Sequence, residues 1–115
     1  MVDDCIFCKI VQGTIPSKIA FQNDEIVAIH DINPAAPIHI LIMPRQHIAS
    51  TAELTEQNVP LIGHMVLVAA QLARENNLED SGYRIVTNTG ADGGQTVNHL
   101  HLHLLGGRHM TWPPG

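Results

Sequence analysis

A chain of 115 residues can bury one hydrophobic core and is too short for two, so a single domain over residues 1–115 is expected. Its hydrophobic fraction of 44% excludes wholesale disorder, and no apolar run approaches the roughly 18 residues that span a bilayer, so no membrane partner is expected. The net charge of −5 argues against nucleic acid as a partner, because gripping a phosphate backbone takes clustered Lys and Arg, whereas one small phosphate needs only backbone amides, a helix N-terminus or histidines.

The opening MVDDCIF has no basic start followed by an apolar stretch, so a signal peptide is not expected and a cytoplasmic location is. CIFCKIVQG then reads as a short helix stopped by Gly13. KIAFQ and EIVAIHD read as two strands joined at the Asn23-Asp24 turn. INPAAP is a loop punctuated by Pro34 and Pro37, and IHILIMP is a buried strand ended by Pro44. The long helix follows, with Thr55 and Asn58 as caps and Pro60 in its first turn. Leu61, Met65, Val68 and Leu72 recur at helical spacing, a stripe best explained by packing on a sheet. YRIVTN is a fourth strand, TGADGGQTV a glycine loop, and NHLHLHLLGG a fifth strand. Five strands, one long helix and a short N-terminal helix make a mostly antiparallel α+β domain.

The fifth strand holds the least ordinary pattern. Leu100, Leu102 and Leu104 alternate with His99, His101 and His103, which predicts leucines in the core and histidines on the opposite face. Histidine has no special preference for strands, so three in register ask for a chemical reason. His99 and His103 would lie roughly 13 Å apart on an extended strand, a strained span for one zinc with bonds of about 2 Å. Two sites, or a metal and a catalytic group, suit that spacing better. Of the other histidines, His64 falls within the long helix and His109 in the tail, where structural or surface roles are expected.

Cys5 and Cys8 are the only cysteines, and their spacing fits a zinc half-site, a redox pair or two buried thiols. Nothing strand-like precedes Cys5, which weakens the redox reading, and histidines could complete a zinc site. The glycine loop lacks both the Walker A ending and the G-x-G-x-x-G pattern. Taken alone it is a hairpin loop. Placed directly before three aligned histidines it becomes a candidate phosphate cradle, because imidazole serves as acid, base and nucleophile.

HLHLHLL fits the H-φ-H-φ-H-φ-φ signature (φ apolar) of the histidine triad, or HIT, family. CIFCKIVQGTIPSKI, HDINPAAPIHILIMPRQHI and NTGADGGQTV are similar to further blocks of that family, in order. The ending HLLGGRHMTWPPG resembles its Hint branch, the purine nucleoside phosphoramidases. The resemblance implies a HIT-like fold whose five-stranded sheets run together across a homodimer. It implies a hydrolase that cleaves the P–N bond of a purine nucleotide through a covalent nucleotidyl-histidine. His101 would attack the α-phosphorus, and His39 and His103 would hold phosphate oxygens. Asn88, Gln95 and Thr96 would bond the phosphate or the bridging atom, with Gly94 letting the backbone approach. Asp31 would bind the ribose hydroxyls, and Ile6, Phe7, Ile10, His30 and Ile32 would form the purine slot. Trp112 would reach the partner subunit's site. The resemblance to zinc-containing relatives that carry both cysteines implies structural Zn²⁺ on Cys5, Cys8, His47 and His99. Thr96 stands where many relatives have serine, Asn98 where an aromatic is common, and Ile29 replaces an aromatic beside the base slot. The competing readings are a dinucleoside polyphosphate hydrolase, against which the Trp-Pro-Pro-Gly ending speaks, and a nucleotide-binding interaction module with incidental activity.

Overall fold

A computed structural model describes residues 4–115; residues 1–3, on which part of the signal-peptide argument rests, lie outside the described residues. The order of elements is α1 (Ile6–Gln12), β1 (Ile19–Gln22), β2 (Ile26–His30), β3 (Ile38–Pro44), α2 (Val59–Glu75), β4 (Tyr83–Val86) and β5 (Leu102–Gly106), with short 3₁₀ turns at 51–53 and 56–58. The strands form one antiparallel sheet in the order β1-β2-β3-β5-β4. No helix among the described residues is long and apolar enough to cross a membrane.

Local chemistry accounts for the boundaries. Gly13 closes α1 in the left-handed conformation at φ +81, with its N–H bonded to Ile10 O, a backbone that costs glycine nothing. Asn23 makes the β1–β2 turn, its side-chain oxygen accepting from the N–H groups of Glu25 and Ile26. Before α2, the Asn58 side chain accepts from Thr55 N–H at 2.8 Å, and Pro60 sits in the first turn where its missing donor is harmless.

Both faces of the sheet are covered. On one face Met65, Val68, Ala69 and Leu72 of α2 pack on Ile26, Ala28, Ile40 and Ile42, with Leu100, Leu102 and Leu104. On the other, Phe7, Cys5 and Cys8 at the start of α1 pack on Val27, Ile29, Leu41 and Met43. Strands buried on both sides read as continuous apolar runs, which is why IVAI and ILIM do not alternate.

The expectation of a histidine strand running through 99–103 is corrected. β5 begins only at Leu102; His99, Leu100 and His101 precede it in irregular backbone. The register pairs Ile42 with Leu102, so the next ladder position on β3 is Pro44, which has no N–H to offer. Leu100 N–H turns instead to Ile48 O. The leucines are buried as expected, but the opposite side is not a wet face: His99 and His101 are buried and His103 is half-buried. The β4–β5 connection, residues 87–101, is also much longer than a hairpin turn and contains the glycine loop.

Candidate active site and metal centre

The irregular backbone at 99–101 points neighbouring histidines at two centres. His99 joins Cys5, Cys8 and His47, whose donor atoms all lie within 4.8 Å of one another. The Nδ1 of His99 lies 3.4 Å from Cys5 Sγ, 3.6 Å from Cys8 Sγ and 3.2 Å from His47 Nδ1, while Cys8 Sγ is 3.2 Å from His47 Nδ1. Tetrahedral zinc with bonds of about 2.0–2.3 Å separates its ligand atoms by roughly 3.3–3.8 Å, so the spacing fits that ion. The tautomer fits as well. His99 Nε2–H donates to Pro44 O at 2.8 Å, which leaves a lone pair on Nδ1 aimed at the sulfurs and provides the outer-shell bond that ligating histidines use.

His101 and His103 face a second centre, a cavity of about 300 Å³. Its walls include Ile6, Phe7, Ile10, His30, Asp31, Ile32 and Thr96, all named from the sequence, along with Ile15, Pro16, Ser17, Ile29, Leu41 and Val97. The lining is mainly apolar with a few polar groups, the usual make-up of a small-molecule site. Phe7 packs edge-on against His101 at 4.9 Å between ring centres and against His99 at 6.0 Å, so one aromatic ring touches both centres.

Main-chain groups assign the protons. His101 Nδ1–H donates to His99 O at 2.7 Å, leaving the Nε2 lone pair unprotonated. Ala35 N–H donates to His39 Nδ1 at 3.0 Å, so neutral His39 carries its proton on Nε2. That Nε2 lies 2.9 Å from His103 Nδ1, to which it donates, and 3.5 Å from Asp31 Oδ2. His103 therefore has its own proton on Nε2. Burial holds these rings neutral. It lowers the pKa of His39 against the pull of the Asp31 carboxylate, and it lowers that of His101. His103 is pushed down to about 4 by burial, with the adjacent His101 and His39 imidazoles acting in the same direction.

Several residues singled out from the sequence lie elsewhere. Asn88 Nδ2 donates to Gly93 O at 2.7 Å; Gln95 Nε2 donates to Ala49 O and Val97 O, and its Oε1 accepts from Gly90 N–H. Both amides brace the glycine loop, and neither they nor Gly94 line the cavity. Gly94 has φ +77, and a Cβ on Gly93 would lie 2.3 Å from Thr89 O, so the loop is tight enough to require both glycines. Trp112 is 81% exposed, with the Arg84 guanidinium 5.9 Å from its ring centre, and is not part of the cavity in one chain. His64 bonds to Asn23 and Glu25 on the surface, and His109 is exposed.

Residues 4–112 match the family model described as scavenger mRNA decapping enzyme C-terminal binding. A HIT-like protein of Synechococcus elongatus is 48% identical over the whole of both chains. The chain belongs to the histidine triad family. The crystal structure of a HIT family hydrolase from Legionella pneumophila superposes with a TM-score of 0.96 at 47% identity, covering 97% of this chain and all of that one. A 14 kDa zinc-binding protein of Zea mays is 45% identical over 96% of this chain and 87% of its own length. The α+β fold with a five-stranded antiparallel sheet and one long helix is the HIT fold.

Sequence reasoning did not find Ile15, Pro16 and Ser17, which follow α1 and close the cavity, because nothing in their residue types marks a wall. Nor did it find Ala35 N–H, His99 O and Pro44 O, because main-chain donors and acceptors leave no trace in residue identity.

Proposed function

We propose that this HIT protein is a nucleotide hydrolase that cleaves the P–N bond of purine nucleoside phosphoramidates through a nucleotidyl-His101 intermediate. The observation that carries the reading is the His101 ring: its Nδ1–H is committed to His99 O, and the residue lines a cavity that also holds apolar walls and a carboxylate. Neutral imidazole with one free lone pair is a competent nucleophile toward phosphorus at pH 7. In the first step Nε2 bonds to the α-phosphorus, the P–N bond breaks, and the departing nitrogen takes up one proton to leave as an amine. In the second, water adds to phosphorus, the P–Nε2 bond breaks and one proton is released, so the cycle balances. The cationic adduct keeps its Nδ1–H on His99 O. His103 Nε2–H donates to a phosphate oxygen, and His39 holds His103 in that tautomer. Thr96 offers a hydroxyl, Asp31 takes the ribose hydroxyls, and Ile6, Phe7, Ile10, His30 and Ile32 enclose the base. Asn88, Gln95 and Gly94 shape the loop that receives the phosphate.

Cys5, Cys8, His47 and His99 would hold zinc, which supplies a structural cross-link between α1 and the sheet. Assembly belongs to the same reading. β4 is an edge strand with Tyr83 and Ile85 partly exposed, and Val66, Leu67 and Trp112 are exposed as well. A second copy paired along β4 continues the sheet, covers these side chains and brings Trp112 to the partner's cavity.

A steady-state assay comparing an adenosine phosphoramidate with a dinucleoside polyphosphate tests the substrate class; preferred cleavage of the polyphosphate would overturn it. Rapid quenching with radiolabelled phosphoramidate should trap a phosphorus–nitrogen adduct on His101.

A further inference from the structure

Among the described residues, two sets of potential metal donors lie close together. One is the cysteine–histidine centre. The other is Asp31, His39 and His103, whose donor atoms also lie within 4.8 Å of one another. His39 Nε2 is 2.9 Å from His103 Nδ1 and 3.5 Å from Asp31 Oδ2. Two imidazoles and a carboxylate make an ordinary transition-metal set, so composition does not separate the two. The main chain does. At the first centre, Pro44 O accepts a hydrogen bond from His99 Nε2–H, which leaves Nδ1 free to ligate. At the second, Ala35 N–H occupies His39 Nδ1, and an amide can only donate.

We propose that the backbone N–H of Ala35 is a positioning group that makes His39 and His103 a one-way hydrogen-bond chain beside Asp31 and excludes divalent transition metals from the three. The phosphate end of this chain rests on the function proposed above; the tautomers and the metal exclusion do not.

Donation runs in one direction, from Ala35 N–H to His39 Nδ1, then from His39 Nε2–H to His103 Nδ1, leaving His103 Nε2–H as the free donor. To ligate through Nε2, His39 would have to move its proton to Nδ1, where it would meet the Ala35 hydrogen across 3.0 Å, or become an imidazolate. Either cost falls on every metal alike. The loop is held so that the amide keeps its aim. Pro34 and Pro37 bracket it, Asn33 N–H donates to Asp31 Oδ1 at 2.8 Å, and Arg108 Nε donates to Ala35 O at 3.0 Å. The neutral state of both rings agrees with this arrangement, since burial lowers both pKa values. A phosphate hydrolase gains from it: a cation seated on His39 and His103 would remove the donor meant for the phosphate.

Two measurements test the proposal without reading activity. Long-range ¹⁵N–¹H correlation NMR at pH 7 should place the proton on Nε2 of both His39 and His103; a proton on His39 Nδ1 would overturn it. Equilibrium dialysis against Co²⁺ should show that a chain with Ala35 replaced by L-lactic acid, an ester that deletes only the N–H, binds one more equivalent than the parent. That extra site should be at least tenfold tighter than any second site of the parent, and His39→Asn should abolish it. Ala35→Pro, which removes the same donor genetically, should behave alike. Equal Co²⁺ uptake by parent and ester, or an extra equivalent that survives His39→Asn, sinks the idea. Failure to trap the His101 adduct would leave both results standing, so the two proposals fall separately.

Discussion

Each histidine of the triad differs from the next by the atom its ring bonds to. His99 donates from Nε2–H to Pro44 O, His101 from Nδ1–H to His99 O, and His103 accepts at Nδ1 from His39. His101→Ala should lower turnover on the order of 10⁴-fold or more, because losing a nucleophile removes the whole two-step route. Nucleotide binding should persist in calorimetry, since the cavity walls and Asp31 remain. His103→Ala removes one of the donors proposed for the phosphate and should cost about 10²–10³-fold in kcat. His103 also sets a pH dependence of stability. Its folded pKa of about 4 lies below the ordinary 6.5, so between those values the unfolded chain binds the extra proton. Stability is full above pH 6.5 and falls as pH drops toward 4. The lowered His39 pKa acts in the same sense. Thermal melts of the wild type and of His103→Gln across that window check this; the variant should show the shallower slope. At this scale the residue types were legible, because three imidazoles on one short stretch need a chemical reason. Which nitrogen carries each proton was not, because Ala35, His99 and Pro44 set it with main-chain groups.

At the scale of elements, α1 belongs to both centres. Its first turn carries Cys5 and Cys8, and Ile6, Phe7 and Ile10 on the same seven-residue helix line the cavity. So short a helix has little stability of its own and depends on its attachments. Cys8→Ser should therefore lower bound zinc, measured by elemental analysis of protein purified without added metal. It should raise KM for the nucleotide more than it lowers kcat, because the base slot loosens while His101 stays bonded to His99 O. A wild type that folds with metal content near zero would refute the zinc assignment. Period and punctuation made most elements readable: Gly13, the Asn23-Asp24 turn and the Leu61–Leu72 stripe stand where helix end, hairpin and core helix occur. The start of β5 was misread because alternation persists through residues 99–101 after the ladder stops. What stops it is Pro44 on the neighbouring strand, a cross-strand effect invisible within the motif itself. Asn88 and Gln95 entered as phosphate ligands through the family resemblance, and in the chain their amides hydrogen-bond within and beside the tight loop at Gly93 and Gly94.

For the whole molecule, the question is what covers the side chains that one chain leaves bare. Trp112 is 81% exposed, with the Arg84 guanidinium over its ring. The tail is nevertheless pinned, since Arg84 also donates from Nη2 to Thr111 O. A large aromatic held in a fixed, solvent-facing position is poorly explained by one chain and well explained by a partner. Tyr83 and Ile85 leave β4 as an unpaired sheet edge with apolar side chains, and Val66 and Leu67 on α2 extend the bare surface. The homodimer is thus argued from two independent surfaces, an edge strand with its helix and a tail. The residues themselves pointed only to the tail; the joined sheets entered through the family resemblance. The two surfaces predict separable effects. Sedimentation at micromolar concentration should show a dimer for the full chain, and for a chain lacking residues 112–115 as well, because β4 and α2 remain. The truncated dimer should differ in kcat/KM between phosphoramidates with different amine groups, since Trp112 would meet the partner's substrate beyond the phosphate. Ile85→Lys should do the reverse and yield a monomer. An intact chain that sediments as a monomer would remove the dimer and with it the role assigned to Trp112, while leaving the His101 cavity, built wholly within one chain, unaffected.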